Sequence, residues 1–200
     1  MKIFSSYSVK IKHYNHIFKD TVAIYRSAVD YLIGVCMEEW DTVSGIQGNL
    51  LRQQYMECLC HATADNPDPK YTGFDRRFYK FPSYLRRSAI SEAIGKVSSY
   101  KSNLVNCEIS DTGIRGQRPS FPKAGYVYPC MYRSVMFRTV DKYTAQVKVY
   151  IRNTWDWITI RLRISDMDYI HKHCNDRKMC APTLKKRGKE WFLDFPFEEE

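Results

Sequence analysis

The hydrophobic pattern of this chain changes period once, at a stretch punctuated by Gly113, Gly116, Pro119 and Pro122. Before that stretch apolar residues mostly recur at steps of three and four. After it they alternate. The first spacing builds helices and the second builds half-buried strands, so the chain is expected to be α+β, with most of its strands following its helices. One early segment departs from this order. From Ser5 to Lys12, Tyr7, Val9 and Ile11 face one way and Ser8, Lys10 and Lys12 the other, as in a strand. Such a strand cannot persist alone beside a helical bundle. Residues 1–13 are therefore expected to pair with strands drawn from 119–197, with 14–110 as an inserted helical lobe and 111–200 as the rest of the strand-built part.

The helical lobe reads as three helices. Asn15 is the expected N-cap of the first. Its stripe runs through Phe18, Val22, Tyr25, Val29, Leu32, Cys36 and Trp40, and Ser44-Gly45 and Gly48-Asn49 break it. A second helix is expected from Leu50 to Ala64, ending in Asp65-Asn66-Pro67-Asp68-Pro69. The third follows Phe81-Pro82-Ser83, with Ser83 as cap and Leu85, Ala89, Ile90, Ala93, Ile94, Val97 and Leu104 on its apolar face. Its many small residues, Ser88 and Ser91 among them, suit close helix packing as well as the approach of a nucleic-acid backbone.

Beyond the period change, strands are expected over Val135–Arg138, Ala145–Ile151 and Trp157–Ile164, with the turn between the last two at Asn153-Thr154 and Trp155-Asp156. Asp166–His173 reads as a short helix. Thr183-Leu184-Lys185 and Trp191–Phe195 read as a final hairpin turning at Arg187-Gly188-Lys189. In these strands Lys148, Arg152, Arg161 and Arg163 alternate with apolar residues, which puts basic side chains on one face. Short strands with basic, aromatic-bearing outer faces suggest a small barrel of the oligonucleotide-binding kind. A plain barrel with a solvated surface satisfies the same pattern.

Charge separates the candidate partners. The net charge is +9, and it is uneven: residues 1–68 carry six basic and eight acidic side chains, while 115–191 carry seventeen basic and six acidic. A regional excess of this size points to a polyanion, nucleic acid before a membrane surface. No apolar run reaches the ~18 residues of a spanning helix, so no membrane partner is expected. The N-terminus lacks a signal stretch. Seven cysteines at irregular spacings suit a reducing interior, hence a cytoplasmic protein.

No catalytic constellation stands out, since there is no phosphate loop, dinucleotide fingerprint or nucleophile elbow. His171, His173, Cys174 and Cys180 are zinc-like in type but not in spacing. Asp166 and Asp168 read as an ordinary helix start. No catalytic residue, metal ligand or cofactor is therefore expected, and the chain alone is expected to cleave nothing. Arg76, Arg77, Lys80, Arg86, Arg87, Lys96 and Lys101 are expected to form a positive surface of phosphate contacts on the helical lobe. Arg161, Arg163, Lys185, Lys186 and Arg187 extend the basic surface over the strands. The competing reading is a protein-interaction module whose basic charge is solvated.

Four segments carry a family resemblance: Phe81–Tyr100, Arg118-Pro119-Ser120-Phe121-Pro122, Trp155–Arg163 and Pro182–Phe197. Together with the order strand, helices, strands, they make the chain resemble the N-terminal half of TnpB-type proteins of the OrfB family. These are transposon-encoded RNA-guided endonucleases of insertion sequences, related to type V CRISPR effectors. The resemblance implies a wedge β-barrel interrupted by a helical recognition lobe, with guide RNA and a double-stranded DNA target as partners. It implies that a short target-adjacent motif is read by the third helix and the start of the barrel, where Tyr84, Ser88, Ser91, Tyr132 and Ser134 are the candidates. It also implies that the nuclease domain, with its divalent metal, is missing here, whether in a fragment or a truncated relative.

Overall fold

Strand β1 (Ile3–Lys12) lies between two partners from far along the chain. Eight of its residues pair antiparallel with β7 (Glu190–Glu199), from Ile3 opposite Glu199 to Lys10 opposite Phe192. Its last two pair with β4 (Thr154–Leu162), Ile11 opposite Leu162 and Lys12 opposite Arg161. The computed structural model describes residues 3–12, 16–109 and 118–199. The fold is α+β, with one curled antiparallel sheet of seven strands. The chain divides into two units, Met1–Tyr25 with Tyr128–Glu200, and Arg26–Val127.

In the first unit β3 (Thr144–Ile151) pairs with β4 along its length, and β2 (Phe137–Thr139) borders β3. On the far side, β5 (Lys178–Met179) and β6 (Thr183–Arg187) both pair with β7. The 129–131 segment continues past β6, with the Leu184 N–H donating to Pro129 O at 3.1 Å and the Met131 N–H to Pro182 O at 2.7 Å. The alternation of the sequence fills the inner face. Val9, Ile11, Val147, Val149, Ile160 and Leu193 are all buried, each worth about 1.5–3 kcal/mol of burial.

Helix α1 (Ile17–Glu38) begins in this unit. Its Phe18 ring lies 5.4 Å from that of Trp191. Its Thr21 hydroxyl accepts the Tyr150 N–H at 2.9 Å, an edge donor that the three-residue β2 does not reach. Helix α6 (Ile164–His173) follows β4.

The second unit holds the rest of α1, then α2 (Trp40–Gly45), α3 (Asn49–Cys60), α4 (Gly73–Arg77) and α5 (Ser83–Ile109). Phe74, Phe78, Phe81 and Tyr31 meet edge-on or tilted, with ring centroids 4.9–6.1 Å apart. A Cβ at Gly73 would come 2.8 Å from the Tyr31 hydroxyl, so any larger residue there requires the Tyr31 side chain to shift.

Several local expectations are corrected. The β3–β4 turn is Arg152-Asn153, both at positive φ (49° and 62°), and Thr154, Trp155 and Asp156 already belong to the strand. This is the left-handed two-residue turn that matches strand twist. Ile164 opens α6 instead of closing β4. Helix α3 stops at Cys60, because His61 turns extended to bring its ring and the Ala62 N–H onto Asp75, both at 2.9 Å. Ser83 is the first residue of α5, and the carbonyl of Pro82 takes the Arg86 N–H. The final turn is Gly188-Lys189, with Arg187 opposite Glu190. Asn15 and residues 111–117 of the boundary stretch lie outside the described residues.

Candidate nucleic-acid interface

Directly opposed residues of antiparallel strands share a face, so the register lays out the outer surface of the sheet in rows. Lys12, Arg161 and Thr144 form one row. Thr159, Gln146 and Arg138 form the next, followed by Trp157 with Lys148 and Trp155 with Tyr150. The Arg138 guanidinium carbon lies 4.1 Å from the centroid of the Trp157 ring, within cation–π range. The Tyr150 and Trp155 rings are 5.5 Å apart. Trp155 and Trp157 are half-buried, while Arg138 and Arg161 are exposed. A sheet face that interleaves cations with flat rings offers phosphates a charge and bases a stacking surface.

Of the expected strand residues, Arg161 sits in this surface. Arg163 lies just past β4, as the residue that precedes α6, and turns to Ser165 and Asp166, at 3.1 and 3.4 Å. Lys185 and Arg187 converge instead on Asp194, a buried carboxylate that also accepts from Ser8 at 2.6 Å. Burial pushes the Asp194 carboxyl up, but hydrogen bonds from Lys185 and Ser8 and the charges of Lys185 and Arg187 bring it below its ordinary value. Lys186 points toward Trp191, 5.9 Å from the ring centroid. Tyr132 and Ser134 lie in the tight turn before β2, with Ser134 at φ 66° and the Met136 N–H donating to Tyr132 O.

The helical candidates are placed separately. Arg76 and Arg77 end α4, and Lys80, at φ 55°, follows them. Arg76, Arg77, Lys80 and Tyr84 are exposed, and Arg77 reaches Ser27 at 3.0 Å. Arg86 is buried, and both its Nε and Nη2 donate to one oxygen of Glu57, at 3.0 and 2.8 Å. Arg87 takes the other oxygen at 3.0 Å. Ser91 accepts from Gln53 at 2.8 Å, Ser88 is half-buried, and so are Lys96 and Lys101. The structure thus gives Arg86, Arg87 and Ser91 work in the α3–α5 contact, and leaves Arg76, Lys80 and Tyr84 at the surface.

The carboxylates do not converge. Asp166 accepts the Lys10 N–H at 3.0 Å, whereas Asp168 is held by Lys142 at 2.6 Å and Tyr143 at 2.9 Å. Among the described residues no group of three His, Cys, Asp or Glu side chains is placed to hold a metal ion. No described helix is long and apolar enough to cross a membrane. Sequence reasoning missed Arg138, Trp155 and Trp157 as binding candidates. The signal was present in the alternation of β4, but the misplaced turn took Trp155 out of the strand.

The sequence model of the Aq_aa04 family matches residues 5–151, a span running from β1 to the end of β3. No curated protein matches the chain.

Proposed function

The chain belongs to the Aq_aa04 family, and we propose that it is a nucleic-acid-binding module. The observation that carries this reading is the outer face of β2, β3 and β4, where Arg138 covers Trp157 and Lys148, Tyr150, Trp155 and Arg161 surround the pair. Rings at this spacing stack unpaired bases, and the cations take the phosphates between them. In this proposal the sheet is the wedge barrel and Arg26–Val127 the inserted recognition lobe of a transposon-associated, RNA-guided DNA endonuclease. The sheet holds guide RNA. The exposed Arg76, Lys80 and Tyr84 contribute to contacts with the target-adjacent DNA, and the nuclease chemistry belongs to a domain not in this chain. Among the described residues no two cysteines are joined in a disulfide, which supports action in the reducing cytoplasm.

The test is fluorescence anisotropy of the purified chain with labelled single-stranded RNA, a stem-loop RNA and duplex DNA, from 50 to 400 mM salt. The reading expects RNA binding whose log affinity falls linearly with log salt. Absence of binding to every probe at 50 mM salt would overturn it.

A further inference from the structure

A notch opens where β1 changes partner. Past Lys10 the strand leaves β7 and joins β4, so Glu190 and Trp191 of β7 pair with β6 alone. The resulting cleft, of about 610 Å³, has Ile11 and Trp191 as its buried floor. Lys10, Lys12, Arg163 and Lys189 line it against a single carboxylate, Glu190. A second cleft of about 440 Å³ lies on the other side of Lys12, where Lys12 and Arg161 face Asp141.

The local charges do not cancel. Glu190 is taken by Lys10. Asp166, behind the first cleft, is taken by the Lys10 amide and Arg163. Among the described residues no carboxylate forms an ion pair with Lys12 or Lys189; Asp141 shares the second cleft with Lys12 and Arg161, one carboxylate against two cations. An open cleft with an apolar floor and unmatched ammonium groups suits a tetrahedral oxyanion. Its neighbourhood extends that preference to a chain of them. Lys12 is shared by both clefts and stands in the same sheet row as Arg161. Trp157 is four residues from Arg161 on β4, about 13 Å at ~3.3 Å per residue, a distance that a short stretch of backbone spans.

We propose that the two clefts flanking Lys12 seat successive phosphates of a nucleic-acid strand whose bases reach the Arg138–Trp157 surface. Lys12 and Lys189 supply the principal contacts. The inference rests on the nucleic-acid reading above and names the path of the strand.

The decisive variant is the double Lys12→Gln, Lys189→Gln protein, with Lys12→Arg, Lys189→Arg as the charge-preserving control. Both positions are exposed, and thermal melts verify that each variant folds. Labelled single-stranded RNA and, separately, inorganic tripolyphosphate are titrated against the full chain. RNA binding by the wild type should weaken about tenfold in the Gln variant. Its salt slope should fall by about 1.4, at ~0.7 per lost single-strand contact, and the Arg variant should keep both. RNA binding with the slope unchanged in the Gln variant would overturn the phosphate path and leave the nucleic-acid reading standing. Lys12/Lys189-dependent binding of tripolyphosphate without any RNA binding would assign the clefts to a free polyphosphate and sink the nucleic-acid reading. Binding of neither probe would overturn both.

Discussion

Arg138 and Trp157 come from strands that do not touch, β2 and β4, and meet over β3, the guanidinium carbon 4.1 Å from the ring centroid. The contact fixes one face of the ring against a cation. Replacing Trp157 with Ala should therefore weaken single-stranded RNA binding by about 1–3 kcal/mol, the value of one stacked base, while leaving the salt slope near its original value. Trp157→Phe should retain part of the affinity. Anisotropy titrations at two salt concentrations separate this loss from that of a lysine.

Glu57 holds two arginines of unequal standing. The Arg86 side chain is 8% exposed and that of Arg87 is 50% exposed. Glu57→Ala would strand a buried guanidinium, and should cost about 3–5 kcal/mol. Arg87→Ala should cost less than about 1 kcal/mol. Urea denaturation followed by circular dichroism measures both. A larger loss from Arg87 than from Glu57 would contradict the assignment.

Asp194 ties acid stability to the β1–β7–β6 contact. Its folded carboxyl titrates below its unfolded value of about 3.9. The stabilisation is thus fully present above that pH and is lost as pH falls through the folded value, because the unfolded chain takes up the proton first. Asp194→Asn should be less stable than the wild type at pH 6, and the gap should narrow steadily as pH drops below 4. Urea midpoints across that range check the sign.

Thiol chemistry should discriminate by position. Burial pushes Cys36 and Cys60 up to about 12, whereas Cys58 is exposed. Iodoacetamide at pH 8 should alkylate Cys58 in the native protein and leave Cys36 and Cys60 unmodified until denaturant is added. Peptide mass spectrometry reads the order.

Legibility followed the range of the interactions. The alternation Val147-Val149 against Lys148-Tyr150 is local, and β3 lies where it points. The long stripes of α1 and α5 were equally readable. Helix α4 escaped notice, since five residues carry no period, and its reason for existing is an aromatic cluster gathered from Tyr31 to Phe81. Arg86 read as a surface cation because its answer, Glu57, sits twenty-nine residues away on another helix. The Lys12–Lys189 cleft depends on where β1 changes partners, and no property of either lysine announces that.

The position of β1 also decides when the sheet can assemble. The Ser8–Asp194 hydrogen bond closes a separation of 186 residues, and all of β1's partners lie beyond Asn153. A nascent chain synthesised at ~5–20 residues per second therefore carries an unpaired, half-apolar strand for many seconds. During that time α3 and α5, with their shorter-range contacts, are free to form. Late closure of so long a loop predicts slow, sheet-limited refolding, and in that interval the exposed edge of β1 is the segment most open to pairing with another chain.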